Sequence, residues 1–308
     1  MGDLSERENW LHKLDLNQSR AAAADLLLNM LRSTSAQAWN KTETLLAHEV
    51  DRHQIDTTLI DPWAIAKDVH YVYEKALAAY VEDISPQRLS VLISKDLGLI
   101  RGKYTAVDPR VIGFVSMQFH YCGQFMLQQV SEPARRVLEN YFKVIDDHLY
   151  MPLHRAYEAA ANYDFGNPRL QTVHSLLPVS SKIAQQVVKA VHQLNPEYVC
   201  YTGPLNSPGV RVSSIRDVEM FQIYLWTCVL EEDISAITAE LFPLCVMLYP
   251  TLKVNWQLVR QMLTQLGEAF KGHIKPQHII YYQPYYQALW KMFSPAVFPD
   301  EPGDGHIA

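Results

Sequence analysis

The chain has 308 residues, of which 48% are hydrophobic and 19% charged, and a net charge of −6. That composition excludes a disordered chain, which lacks the apolar residues to build a core. A mildly acidic balance argues against phosphate-backbone binding as the main activity. The four cysteines, Cys122, Cys200, Cys228 and Cys245, form no C-x-x-C pair and sit in apolar neighbourhoods, so they read as reduced, buried thiols and not as a disulfide framework.

Start and stop signals of helices recur along the whole chain. Ser5 and Glu8 have capping-box spacing and open a first short helix. Gln18–Arg32 is rich in Ala and Leu and helical by propensity, and Ser35–His53 follows as a further helix. Asp61-Pro62 is a cap followed by proline at the first helical position, where its missing N–H costs nothing. From there Trp63, Ala66, Val69, Tyr73, Ala76, Leu77 and Tyr80 fall at helical spacing and predict one buried face. Ser85-Pro86 and Asp108-Pro109 repeat the start signal. A helix from Ser131 to about Tyr163 should kink at Pro152.

Asp164–Pro168 is a Gly/Pro break and the best boundary between two parts. Helices then cover the stretch to about Leu177 and Ser180–Leu194. Asn195–Ser213, with Gly203-Pro204 and Ser207-Pro208-Gly209, reads as a long surface loop with a two-stranded ribbon near 199–212. Ser214 and Asp217 cap the next helix, and further helices reach Phe293, two of them bent at Pro243 and Pro284. The expected fold is therefore an all-α multi-helix bundle of two sub-bundles, 1–164 and 165–293, with a flexible tail over 294–308. No repeat of solenoid period is visible. The apolar run Leu241–Leu252 is too short for a membrane span and is broken by two prolines. Without a basic-then-apolar leader, the sequence reads as cytoplasmic.

No P-loop, G-x-G-x-x-G, H-E-x-x-H, G-x-S-x-G or EF-hand pattern occurs. Asp147, His154 and Glu158, together with Met151, lie on one face of the expected helix, and carboxylate and imidazole lone pairs so placed can hold a divalent metal. The preferred reading is instead a solvent-facing amphipathic helix with His154 paired to Glu158. Glu49 and His53, one turn apart in a second His/carboxylate cluster, lack the Glu-x-x-His of di-metal bundles. His120, among Met117, Phe119, Phe125 and Met126, is the candidate ligand for haem or another tetrapyrrole. Lys95, Arg101, Lys103 and Arg110 are too sparse for a DNA-binding face.

The last expected helix is the most distinctive. Tyr282, Tyr286, Trp290 and Phe293 form a core-facing stripe, and Tyr281 and Tyr285 lie beside it. Tyrosines off the core stripe suit a protein interface, so Tyr281, Tyr285, Tyr282 and Tyr286 are the candidate partner-binding residues. The sequence thus favours a non-enzymatic interaction protein (a regulator, adaptor or assembly factor) that binds a protein partner and needs no cofactor. The alternative is a helical ligand- or cofactor-binding protein, an enzyme among the options.

Overall fold

The computed structural model describes the backbone of residues 2–299 and the side chains of residues 19–299. The Ser5/Glu8 capping box and the tail beyond Pro299 lie outside the described side chains. The protein is an all-α multi-helix fold, 79% helical, with one tiny two-stranded sheet. The chain folds as two compact units, Met1–Tyr150 and Met151–Ala308. The sequence places the boundary later, at the Asp164 turn; α6, which precedes that turn, packs with the second unit's α9.

The first unit holds α1 (Gly2–Arg52), α2 (Pro62–Val81), α3 (Pro86–Thr105), α4 (Val111–Leu127) and α5 (Glu132–Tyr150). The expected succession of shorter helices over residues 2–52 is one continuous helix. Ser33 and Thr34 do not cap a new start; their hydroxyls donate back to the Met30 and Leu31 carbonyls, the mid-helix alternative open to short hydroxyl side chains. Asp61 accepts the N–H groups of Trp63 and Ala64, and Ser85 that of Arg88, so these two X-Pro starts are true caps; Asp108-Pro109 forms a turn instead, and α4 begins after it at Val111 without a side-chain cap. Helix α4 is buried on nearly every side, and α1 and α5 both pack against it.

Helix α5 stops at Tyr150, and α6 starts at Leu153. Pro152 therefore ends one helix instead of kinking it. It has no N–H to donate, and Leu153 N–H turns back onto the Met151 carbonyl at 2.8 Å.

The second unit holds α6 (Leu153–Ala161), α7 (Pro168–Leu176), α8 (Ser180–Leu194), α9 (Pro208–Glu231), α10 (Phe242–Thr251), α11 (Trp256–Lys271) and α12 (Ile279–Met292). The ribbon pairs β1 (Val199–Cys200) antiparallel with β2 (Gly203–Pro204). The irregular stretch is shorter than the sequence suggests, because Ser207-Pro208 is a further helix start and Ser214 lies inside α9, its hydroxyl donating to Val210 O. The far half of α9 is buried all round, from Met220 to Leu230. Helices α6, α7, α8 and α12 pack against it. A π-turn, Ala236–Leu241, joins α9 to α10. Wider winding here relieves the clash that Pro243 would make with the carbonyl four residues earlier in an α-helix. The start of the expected tail is packed: Ser294 is buried, and Phe298 stacks on Trp256 at 4.1 Å.

Candidate functional site

The tyrosine-rich helix α12 is largely used inside the second unit. Tyr282 is buried against Phe270 in an edge-on contact at 4.8 Å and stacks with Tyr286. The Tyr286 hydroxyl donates to Leu263 O at 3.0 Å. Its ring occupies the space that a Cβ on residue 267 would need, so Gly267 is what lets α11 and α12 approach so closely. Burial pushes the phenols of Tyr282 and Tyr286 up. Tyr281 and Tyr285 are half-buried and not on an open face. The Arg169 guanidinium of α7 lies 5.1 Å from the Tyr281 ring, and burial pushes the Tyr285 phenol up, with the Arg169 charge offsetting part of the effect. Trp290, expected in the core, is 37% exposed, with its indole N–H 3.4 Å from Thr264 Oγ1. Tyr282 and Phe293 of the stripe stay buried, and Trp290 gives way to Leu289, one position earlier, which takes the fully buried place.

Arg169 also belongs to a polar knot at the C-terminal end of α9. Glu232 there adopts the left-handed conformation (φ 58°) and pairs with Arg169 at 2.8 Å. The Tyr163 hydroxyl donates to Leu230 O, one of the last α9 carbonyls. Beside it, Arg155 of α6 forks onto both Glu231 oxygens, each at 2.6 Å, and reaches Glu240 in the π-turn. Such a fork is geometrically specific, and the side-chain bond to Glu231 holds the guanidinium more firmly protonated than usual. Arg155, Tyr163 and Glu231 line an open groove of about 480 Å³.

The remaining sequence candidates are dispersed. Both ring nitrogens of His120 are engaged within the first unit: Nδ1 lies 2.7 Å from Asp146, and Nε2 faces the Gln124 amide at 2.8 Å. A haem iron at Nε2 would have to displace Gln124. Asp147 pairs with Lys143 at 2.5 Å on α5, whereas His154 pairs with Glu158 at 3.3 Å on α6. The break at Pro152 puts them on different helices, so no continuous helix carries all three. Glu49 lies 3.1 Å from His53 on α1. Among the described residues, no group of three or more His, Cys, Asp or Glu side chains is placed to hold a metal ion.

Trp63 is the residue that the sequence pattern misassigned. The buried stripe of α2 runs through Ile65, Val69, Val72, Tyr73 and Ala76, and Trp63 is 86% exposed. At about 100° per residue, position 63 lies nearly opposite position 65, and that phase was readable from the sequence. Tyr104 Oη and Lys103 Nζ, at the end of α3, both bond Asp68 of α2, at 2.7 and 3.0 Å. These ties hold the first turns of α2 beside the end of α3, where Val107 is also exposed, at 77%. An exposed tryptophan at the start of α2 and an exposed valine just beyond the end of α3 thus lie at the helix ends that these ties hold together.

No family model, curated protein or solved structure is detectably similar to this chain. Among the described residues, no helix is long and apolar enough to cross a membrane.

Proposed function

We propose that the protein is a non-enzymatic helical interaction protein that binds a protein partner through the end of its first unit, at Trp63 and Val107. The observation that carries this reading is the exposure of Trp63. A large aromatic left in water, with an exposed valine at the same end and charged groups nearby, is the usual make-up of a protein-binding surface. Tryptophan is also enriched at the few positions that dominate binding energy. The tyrosines of α12 are secondary candidates, since Arg169 and the core already use much of their surface. A reducing, cytoplasmic setting suits the four free, buried cysteines.

The test is a comparison of affinity capture by wild type and by the double variant Trp63→Ala, Val107→Ser. Neither side chain is packed, so the thermal midpoint should stay nearly unchanged, the stability effect being about 0.5 kcal/mol or less per site. A buried interface tryptophan contributes about 2 kcal/mol or more, so the captured partner should be lost. A double variant that keeps every partner of wild type overturns this reading.

A further inference from the structure

The outer face of α3 offers a second surface, and its chemistry says more about what docks there. This inference rests on the reading of the protein as an interaction protein. At about 100° per residue, Arg88, Val91, Leu92, Lys95, Leu99 and Lys103 fall on one side of the helix, opposite the buried Leu89, Ile93, Leu97, Ile100 and Tyr104. Val91, Leu92 and Leu99 are 65%, 49% and 63% exposed. Three large aliphatics so exposed on one helix are more than a scatter of single apolar residues. Gly102 continues the face with open space above it.

The charges on this face are one-sided. The single carboxylate of α3, Asp96, pairs with Lys75 of α2 at 2.6 Å, and Lys103 pairs with Asp68 at 3.0 Å. Arg88 and Lys95 are exposed, and neither has a side-chain hydrogen bond or ion pair among the described residues. The face therefore presents aliphatic side chains flanked by two cations without counter-charges.

We propose that this face is the docking site for an acidic amphipathic helix of a protein partner, its apolar stripe laid on Val91, Leu92 and Leu99 and its carboxylates set against Arg88 and Lys95. Helix-on-helix recognition of this kind reads anchors at helical spacing, and opposite charges at the rim set orientation and association rate. A second copy of the chain fits poorly, because a two-fold contact would bring the same unpaired cations toward one another. An anionic membrane fits poorly too, since membrane-surface segments gather about four to eight Lys/Arg and bury aromatic side chains, whereas this face has two free cations and no exposed aromatic residue.

The test is selection from a displayed library of amphipathic helical peptides, with a fixed Leu stripe and randomised flanking charges, panned against wild type and against R88E/K95E. Wild type should enrich Asp- and Glu-flanked peptides, and the variant Lys- and Arg-flanked ones. For the best acidic peptide, fluorescence anisotropy should show a loss of about tenfold or more in affinity on R88E/K95E, equivalent to about 1.4 kcal/mol. The uncharged change L99A should weaken both peptide classes, with the thermal midpoint unchanged in each variant. Equal recovery of acidic and basic peptides from wild type overturns the proposal, as does binding indifferent to R88E/K95E. So does finding that R88E/K95E instead abolishes cosedimentation with phosphatidylserine–phosphatidylcholine vesicles, or abolishes a dimer seen by sedimentation velocity. Partner capture by the Trp63 variant is read separately, so failure on α3 leaves the broader reading standing, and failure of both removes it.

Discussion

Of two aromatic residues on the expected core stripe of α12, Tyr282 keeps its buried place and Trp290 leaves it. Tyr282 is 4% exposed and wedged between Phe270 and Tyr286, so Tyr282→Ala should destabilise the second unit by about 3–5 kcal/mol as an aromatic core truncation. Trp290→Ala should cost about 1 kcal/mol or less, because its indole is partly solvated and its one polar contact is long. Urea unfolding of the two variants checks the order, and a larger loss for Trp290 would contradict the placement of α12. Asp217 of α9 gives a pH prediction. Burial raises its carboxyl to about 6, well above the usual carboxylate range, with Arg216 offsetting part of the effect. The unfolded chain then releases this proton at lower pH than the native state does. Folding stability should therefore fall as pH rises from about 4 to about 6, and the penalty stays in force above that. Asp217→Asn removes the charge, so its thermal midpoint should exceed wild type at pH 8 by the equivalent of about 1–3 kcal/mol, and the gain should shrink toward pH 4. A gain equal at both pH values would show that desolvation of the carboxylate is not its source.

At the scale of elements, the sequence was most legible where local chemistry decides the outcome. Asp61, Ser85 and Asn255 each accept a backbone N–H at the start of a helix, and such caps act within a few residues. It was least legible where one side chain had two local uses. Ser33 and Thr34, just before the helix start expected at Ser35, are back-bonded residues inside α1. Proline was similarly double-valued: Pro152 ends α5, Pro284 sits within α12, and Pro243 follows a π-turn. The difference lies in whether neighbouring packing supplies partners for the freed carbonyls, and that is a property of tertiary structure. The candidate sites suffered from the same limit. The sequence expects a kink at Pro152 where the helix ends outright, and Tyr281 is met by Arg169 of α7, which arrives from a distant part of the chain.

At the scale of the whole chain, each unit surrounds one helical stretch that is apolar on nearly every side, α4 in the first and the far half of α9 in the second. A helix of that kind must be enclosed by others, and this need is visible in sequence even where the order of packing is not. The cysteines follow these cores. All four are free and buried, Cys122 in the first unit and Cys200, Cys228 and Cys245 in the second. Burial pushes the Cys122 and Cys228 thiols up to about 12, and Cys245 higher still. Native alkylation near pH 7 should accordingly be slow at Cys122, Cys228 and Cys245, and rapid labelling at any of them would contradict its burial. These thiols also serve as clocks. A sulfhydryl that reacts only when its surroundings open reports the free energy of that opening, as a protected amide does in hydrogen exchange. With Cys122 alone in the first unit, the labelling rate of one residue times the opening of that unit, and the three thiols of the second keep separate time for the other, with no probe introduced.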